Sequence, residues 1–343
     1  MSTITQLAVQ IAKKPWLCLP AGWAHDLSPY GLEIYSQIFG DVTTPAWNSY
    51  KYKNLIFKNR LGIAGGVDKN ANYLTAWQKV GCGFLEIGTV TPKAQSPNPG
   101  MTMRRDIKTE SVWNKMGFPS AGSDEAYYNL KKYKSESSLP VLVNIGKNRA
   151  TANEDASTDY ETLVEKFSDV ADAFVINISS PNTSGLRDLA KPAAFEGFLK
   201  PITQKHQSLS LKQPLFLKIS PDLESTELKN ILDVCLNHQL DGFILTNTTI
   251  DRTLTPFYPI DGGMSGKPLK EKSLHALYTA KNYLEQKNEK KCLISVGGVM
   301  TADDVFERID KGADLVQVYS TLVFEGPGFF RKVAKIAKHR FSG

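Results

Sequence analysis

The chain has 343 residues, 41% of them hydrophobic, which is enough to bury the core of one barrel-sized domain or of two ordinary domains. The net charge of +6 is modest and the lysines and arginines form no long run, so the composition gives no support for a nucleic-acid surface. The four cysteines lie far apart and form no CxxC pair, which fits a reducing compartment and argues against a disulfide framework or a zinc ribbon.

Residues 1–42 predict a helical extension. The segment TITQLAVQIAKK (3–14) has apolar residues at helical spacing on one stripe, and Pro15 ends it. A second helix is predicted to begin at Ser28, with Pro29 in its first position, and to run to Gly40. Two interpretations stay open here: a helical pair packed over one end of the main domain, or a membrane contact favoured by the stripe, the lysines and two nearby tryptophans.

No apolar stretch approaches the roughly 20 residues that span a bilayer. The N-terminus also lacks the basic start, apolar block and cleavage site of a signal peptide. We therefore expect a protein of the cytosolic side, and a peripheral membrane contact remains compatible with this.

Residues 43–343 repeat one pattern, in which a short apolar run ends abruptly in polar or glycine residues. Eight such runs predict strands buried on both faces: 61–65, 84–90, 139–146, 173–179, 214–220, 242–248, 292–298 and 315–320. Helical spacing follows many of them: 160–170, 225–238 with Ser225 as the N-cap, 272–286 and 302–311. The alternation predicts an α/β fold, a (β/α)₈ TIM barrel, and a doubly wound open sheet is the competing fold. The long gap at 101–118 predicts an inserted loop or small hairpin over the barrel mouth.

In such a barrel the active site lies at the carboxyl ends of the strands. Amides, hydroxyls and amines crowd these positions, as in NIGKN (144–148), NISSPN (177–182) and TNTT (246–249), whereas carboxylates are scarce. Lys69 and Lys218 each follow or end a strand and together suit an anionic ligand, although each alone is typical of a surface lysine.

The last two strands predict a phosphate site. In barrels of this kind, backbone N–H groups of the loops after these strands often point together at a bound anion. Gly297 and Gly298 follow the seventh run, and Tyr319 and Ser320 end the eighth; a tight turn is the ordinary alternative. None of the five histidines follows a strand, so neither a metal site nor a Ser-His-Asp hydrolase is predicted. A phosphate-bearing cofactor with an amide-bound ring remains, and flavin mononucleotide (FMN) is one candidate.

Ten motifs, in chain order, resemble those of the quinone-dependent (class 2) dihydroorotate dehydrogenases. They are GGVDKN, EIGTVTP, NKMGF, VNIGKN, NISSPNTSGLR, KISPDL, TNTTIDR, GGMSGKPL, SVGGV and VQVYS. The resemblance covers essentially the whole chain. It implies oxidation of (S)-dihydroorotate to orotate in pyrimidine biosynthesis, with one FMN per chain and a membrane quinone as the electron acceptor.

The resemblance also implies a catalytic role for Ser180, the second serine of NISSPN. In the family this serine is the base that takes a proton from one ring carbon while hydride leaves the neighbouring carbon for the flavin. Serine is a weak base, so the pocket must be dry and must relay the proton, and Thr183 and Phe118 match the relay residues. Without the resemblance, Ser180 would be interpreted as a turn hydroxyl before a proline.

Two sets of binding residues carry over from the family. The substrate set is Lys69, Asn114, Lys115, Met116, Gly117, Phe118, Asn177, Asn182, Asn247 and Thr248. The FMN set is Gly65, Gly66, Val67, Asp68, Lys69, Thr89, Asn144, Asn177, Lys218, Thr246, Gly266, Gly297, Gly298, Tyr319 and Ser320. In the second set, Lys218 resembles the family's lysine near the flavin's pyrimidine edge, and Gly266, Gly298, Tyr319 and Ser320 resemble its phosphate contacts.

The resemblance favours membrane contact for the extension, which in the family forms a quinone tunnel. His25, Arg105 and Tyr319 match tunnel residues. A monomeric peripheral protein on the cytoplasmic face of the inner (cell) membrane is implied, with no nucleic acid as partner. Two departures from the family pattern are MTMRRD before NKMGF, which leaves only Arg105 as a tunnel arginine, and Pro119 beside the relay.

Two other functions are compatible with the predicted fold. A flavin-dependent dihydrouridine synthase acting on tRNA has a similar fold, but it uses a cysteine acid and an RNA-binding extension that this chain does not show. The other rival is a membrane-associated barrel that has lost turnover. Flavin content and tRNA binding separate these alternatives.

Overall fold

The structure is a computed structural model that describes residues 14–41 and 43–341. Its strands are β1 (Tyr50–Tyr52), β2 (Leu55–Phe57), β3 (Leu61–Asp68), β4 (Phe84–Val90), β5 (Met103–Asp106), β6 (Ser111–Asn114), β7 (Val141–Ile145), β8 (Ala173–Asn177), β9 (Leu215–Ile219), β10 (Gly242–Leu245), β11 (Gly263–Gly266), β12 (Cys292–Val296) and β13 (Leu315–Val318). Its helices are α1 (Ala21–Phe39), α2 (Leu74–Lys79), α3 (Ser123–Lys134), α4 (Ala156–Lys166), α5 (Pro192–Ser208), α6 (Ser225–Asn237), α7 (Lys270–Gln286), α8 (Ala302–Asp310), α9 (Ser320–Glu325) and α10 (Phe329–Arg340).

Eight parallel strands close into a barrel in the order β3-β4-β7-β8-β9-β10-β12-β13. The predicted TIM barrel is confirmed, and the open-sheet alternative is wrong, because β13 pairs with β3 to complete the ring. Every residue of β4, β7, β8 and β9 is buried, as expected for strands covered on both faces. Most of the predicted runs extend past the ends of their strands, because the polar residues there leave the ladder and form the barrel mouth.

The amino end of the barrel is closed by the antiparallel hairpin β1–β2. Phe57 lies edge-on to Phe84 inside the barrel, with ring centroids 5.5 Å apart. The Tyr52 hydroxyl donates to the carbonyl of Asp241 at 2.7 Å, at the start of β10. The lower half of the barrel is therefore filled by side chains, and only the carboxyl end is free to form a site.

The predicted helices are present with shifted bounds. α4 begins and ends earlier than predicted, whereas α6, α7 and α8 agree to within about two residues. Ser225 is not the N-cap of α6: Glu224 is, and its backbone N–H donates to the Glu227 carboxylate at 2.9 Å. Ser225 is the first helical residue, and its hydroxyl bonds instead to His275 Nε2 at 3.0 Å.

A small sheet covers part of the barrel mouth. The predicted insertion forms the antiparallel pair β5–β6, which confirms the hairpin interpretation. β11 adds a third strand to β6, and the sequence did not indicate it. This sheet brings Asn114, at the end of β6, over the mouth.

The extension contains one described helix, α1, which differs from the predicted second helix. It begins at Ala21 rather than Ser28, so Pro29 lies inside it. Proline cannot donate to the carbonyl of His25, but the hydroxyl of Ser28 donates to that oxygen at 2.8 Å and the helix continues. The predicted first helix lies outside the described residues. Within the described part of the chain, no helix combines the length and hydropathy needed to cross a bilayer.

Candidate active site

A cavity of about 950 Å³, including its part open to solvent, lies at the carboxyl ends of the barrel strands. Most of the residues predicted for flavin and substrate meet in its wall. They are Gly65, Gly66, Lys69, Thr89, Asn114, Met116, Gly117, Phe118, Asn177, Ser180, Asn182, Lys218, Thr246, Asn247, Thr248, Gly266, Gly297, Gly298, Tyr319 and Ser320.

Five predicted residues do not line this wall. The Asp68 carboxylate instead fixes the turn after β3, because it accepts the backbone N–H groups of Asn72 and Tyr73 at 2.9 and 2.8 Å. Lys115 forms an ion pair with Asp261 at 2.6 Å. The other three, Val67, Asn144 and Thr183, pack behind the wall or beside it.

Ser180 lies in the loop that follows β8, and its residue is only 5% exposed. Its Oγ accepts the backbone N–H of Asn182 at 3.2 Å, which leaves its own proton free to move. The Oγ of Thr183 is buried and has no hydrogen-bond partner among the described residues. A weak base and a buried, uncommitted hydroxyl three residues later in the same loop are groups that can take part in a proton relay.

An arginine that the sequence did not single out anchors this loop. Arg187 donates to the carbonyls of Ser179 and Thr248, both at 3.0 Å, and forms an ion pair with Asp222 at 2.9 Å. It therefore ties together the loops after β8, β9 and β10. The signal in the sequence is the arginine at the end of NISSPNTSGLR, together with the single carboxylate of KISPDL.

Four side-chain amides, at or just after the ends of the three strands β6, β8 and β10, line the cavity. Asn182 donates to Asn114 at 2.8 Å, and Asn247 donates to Asn177 at 3.3 Å. Asn177 in turn donates to Thr89 at 3.0 Å. Each amide carries both a donor and an acceptor, so this set can hold a flat ring whose edge alternates N–H and C=O groups.

Lys69 supplies positive charge to the wall. Its ammonium has no hydrogen-bond or ion-pair partner within residues 14–41 and 43–341. Burial lowers the pKa of Lys69, and the nearby Asp68 partly offsets that effect. A partly buried cation without a partner favours an anionic ligand, such as a carboxylate.

A second charged group lies beneath the cavity, around Glu86. This carboxylate is fully buried and accepts Lys218 Nζ at 2.9 Å, Asn144 Nδ2 at 2.6 Å and Gln317 Nε2 at 2.7 Å. Lys218 and Gln317 also line the cavity. Sequence analysis missed Glu86 and Gln317, although an acidic residue in the middle of the apolar strand FLEIGTV was a usable signal.

The turn after β12 fits an anion. Gly297 and Gly298 have φ values of +110° and +68°, a backbone that side chains rarely adopt. A Cβ on Gly298 would lie 2.3 Å from the Cα of Lys270, so the turn packs directly on the start of α7. Across the cavity, the Ser320 and Ser265 hydroxyls bond at 2.8 Å.

Phe118 closes one side of the cavity. It has a φ of +56°, and Gln95 Nε2 donates to its carbonyl at 2.8 Å. Its ring lies over Gly146, where an added Cβ would be 3.1 Å from the ring edge. The next residue, Pro119, also lines the cavity. Thr89 lies near the same glycine, so the ring covers the side of the cavity next to Thr89.

The predicted tunnel residues lie at the junction of the extension and the barrel. Arg105 donates to the carbonyls of Leu17 and Leu19 at 3.0 and 2.7 Å, so it holds the segment that leads into α1. Burial and the charge of Lys69 both lower the pKa of His25, an α1 side chain that pairs with Asp26 and does not line the cavity. Tyr319 lies against Gly66 in the wall; a Cβ there would be 3.2 Å from its ring.

Histidines and metal ligands do not contribute to this cavity. None of the residues in its wall is a histidine. In the described part of the chain, no group of three histidine, cysteine or acidic side chains is placed to hold a metal ion. The polar groups of the wall are amides, hydroxyls, lysine ammonium groups and backbone N–H groups.

Comparisons with known proteins identify the family to which the chain is similar. The family model for dihydroorotate dehydrogenase matches residues 49–340. The dihydroorotate dehydrogenase (quinone) of Sulfurimonas denitrificans is 39% identical over 330 residues, covering 93% of this chain and 91% of that protein. The protein of the same name in Vibrio vulnificus is 36% identical over 342 residues, covering 95% and 98%.

Solved structures give the same result. The crystal structure of DHODH from Eimeria tenella in complex with ferulenol has a TM-score of 0.82 and 33% sequence identity, and the match covers 92% of this chain and 89% of that one. The ligand-free structure from the same organism gives a TM-score of 0.81. The chain belongs to the dihydroorotate dehydrogenase family, in its quinone-dependent branch.

Proposed function

We propose that this protein oxidises (S)-dihydroorotate to orotate in pyrimidine biosynthesis, with one bound FMN and a membrane quinone as electron acceptor. Membership of the family supports this reaction and implies a flavin cofactor. The observation that carries the proposal is the position of Ser180. Its nearly buried hydroxyl shares a cavity wall with Asn114, Asn177, Asn182 and Asn247.

The wall fits FMN in two respects. The turn at Gly297 and Gly298 offers backbone N–H groups to a phosphate, and Ser320 adds a hydroxyl nearby. Lys218 supplies a positive charge from β9. When bound, the flavin would accept the hydride and pass electrons on to the quinone.

The substrate would be held by the amides and by Lys69. The ammonium of Lys69 has no partner among the described residues, and the carboxylate of dihydroorotate would provide one. The asparagine side chains would orient the ring so that one carbon faces the Ser180 hydroxyl. Ser180 would take the proton from that carbon. Thr183, whose buried Oγ has no partner among the described residues, and Phe118 would then guide it away from Ser180.

The quinone would reach the flavin along α1. The helix leaves Trp23, Leu27, Tyr30, Ile34 and Ile38 exposed, each by 52% or more. An apolar helix surface of this kind favours a position at a membrane interface. We propose a monomeric peripheral protein on the cytoplasmic face of the inner (cell) membrane, with His25, Arg105 and Tyr319 along the quinone path and no nucleic-acid partner.

Anaerobic mixing with dihydroorotate tests the proposed function. We expect the yellow protein to lose its flavin absorbance within the mixing experiment and to regain it when quinone is added. Recovery with fumarate alone would place the chain with the soluble enzymes instead. A colourless purified protein would support a barrel without turnover, and salt-sensitive tRNA binding would support a dihydrouridine synthase.

Charge beneath the flavin gives a second test. We expect Lys218→Met to lower the flavin reduction potential, because it removes a positive charge that favours the reduced flavin. We expect Glu86→Gln to raise the potential, because the positive charge of Lys218 is then no longer neutralised by the carboxylate. A shift of roughly 30–90 mV corresponds to about 1.4–4 kcal/mol for one unit charge near the ring. Redox titration against reference dyes measures both shifts.

The matched control is Lys53→Met, which makes the same net charge change at the closed end of the barrel, where Lys53 pairs with Asp241. Its reduction potential should stay that of the wild type. Shifts of the same sign in Lys218→Met and Glu86→Gln would contradict the assignment of this pair to the flavin.

A further inference from the structure

Arg308 is a positive charge that is entirely removed from solvent. It lies in α8, and its exposed fraction is 0%. Among the described residues it has no ion-pair partner, because the neighbouring acidic side chains Asp304 and Glu307 pair with Lys270 at 2.5 and 2.8 Å. Burial lowers the pKa of Arg308 to about 10, so it stays charged at neutral pH. A buried cation without a counter-ion is costly for a fold to keep.

The guanidinium holds the turn after β12 from behind. Nη2 donates to the Gly297 carbonyl at 2.7 Å and to the Ser273 hydroxyl at 2.9 Å, and that hydroxyl donates to the same carbonyl at 2.7 Å. Nη1 donates to Ser295 Oγ at 2.9 Å. Arg308 therefore joins the end of β12, the glycine turn and the first turn of α7.

This contact sets the direction of the peptide between Gly297 and Gly298. In a trans peptide the carbonyl and the N–H point in opposite directions. Arg308 does not line the cavity, so the carbonyl that it binds points away from the cavity and the Gly298 N–H points toward it. The N–H groups of Gly297, Gly298 and Val299 have no acceptor in the described part of the chain, and all three residues line the cavity.

We propose that Arg308 is a positioning residue for the phosphate of the bound cofactor, a role that rests on the proposed function. It acts through the Gly297 carbonyl: it fixes the turn so that consecutive N–H groups face one anion, and it polarises the peptide whose N–H binds there. Its own charge lies behind the turn without a carboxylate partner. A bound cofactor phosphate would add a negative charge on the other side of the turn.

Flavin release from the full-length protein tests this role. Riboflavin is FMN without the phosphate, so it reports on ring binding alone. We compare release of FMN with release of riboflavin exchanged into the same protein, following recovery of free-flavin fluorescence after dilution. Arg308→Met should speed FMN release by about 10- to 100-fold, the range for losing a buried charged contact, and should leave riboflavin release nearly unchanged.

Two further variants separate positioning from stability. Val305→Ala removes a fully buried side chain from the same helix, so it should lower the melting temperature and leave the ratio of FMN to riboflavin release unchanged. Arg308→Lys keeps the charge but loses the planar fork, so it should speed FMN release about 3- to 10-fold. If Arg308→Met fails to fold, Arg308→Lys carries the test.

The outcomes distinguish this proposal from the proposed function. A wild-type protein that holds neither flavin would overturn the proposed function and this role together. A wild-type protein that retains FMN better than riboflavin, with Arg308 variants that keep the same preference, would overturn the role of Arg308 alone. Equal acceleration of both flavins would show that Arg308 only stabilises the fold, and would also overturn it.

Discussion

Replacing Ser180 with alanine is expected to slow flavin reduction by dihydroorotate about 10²- to 10⁴-fold, the range for losing a general base. The flavin should stay bound, because Ser180 is one of many residues in the cavity wall and follows β8, which two strands separate from β12 and its proposed phosphate turn. Anaerobic stopped-flow absorbance measures the reduction step without any contribution from the quinone. The flavin content of the variant shows whether the cofactor site has survived.

Ser179→Ala is the matched control, since it removes a neighbouring buried hydroxyl. Ser179 Oγ donates to Asn177 at 3.1 Å and accepts from Asn247 at 3.0 Å, and Ser179 is not part of the cavity wall. This variant should loosen the amide set and raise KM more than it slows reduction. Single-turnover reduction of Ser180→Ala at nearly the wild-type rate would exclude Ser180 as the base.

Deleting residues 1–40 is expected to spare reduction by dihydroorotate and to slow reoxidation by a long-chain quinone by at least about 100-fold. Each apolar side chain buried in a membrane contributes about 1.5–3 kcal/mol to the free energy of membrane binding. Losing two or more of them therefore weakens membrane binding, and slows access to the quinone, by a factor of this size. Reduction and reoxidation are measured separately on the same sample. A short, water-soluble quinone should still react.

A gentler change tests the same role with the extension in place. Trp23→Glu and Ile34→Glu alter exposed positions of α1, while the contacts of Arg105 with Leu17 and Leu19 remain. Both variants should bind lipid vesicles less tightly. Tyr278→Glu, an equally exposed aromatic on α7, is the matched control and should bind as the wild type does. Unchanged quinone kinetics after the deletion would contradict the proposed path.

The eight barrel strands were predictable because each is a short apolar run, and a strand buried on both faces needs such a run. The clustering of Ser180 and the asparagines followed from the same rule, since parallel strands in a barrel end on one side. β11 was not predictable: GMSG has no strand propensity, and it becomes a strand because it pairs with β6. α1 was misplaced because a serine hydroxyl replaced the missing donor of Pro29.

Contacts between residues far apart in the chain set the limit of the sequence analysis. Glu86 and Lys218 are 132 positions apart, and their pairing depends on a ring of strands rather than on local pattern. Arg308 lies in ADDVFERID, which reads as a charged surface helix. Only the closed barrel shows that its guanidinium points inward, to the turn after β12.

The hairpin β1–β2 closes one end of the barrel. Both reactants, dihydroorotate and the quinone, must therefore enter at the opposite rim. On that rim the small sheet of β5, β6 and β11 lies on the substrate side, and α1 contacts β5. The two reactants would therefore enter the cavity through separate openings at the same end of the barrel. A compound bound beneath α1 should block the quinone but not dihydroorotate. The protein should then accept electrons from dihydroorotate once and remain in the reduced form.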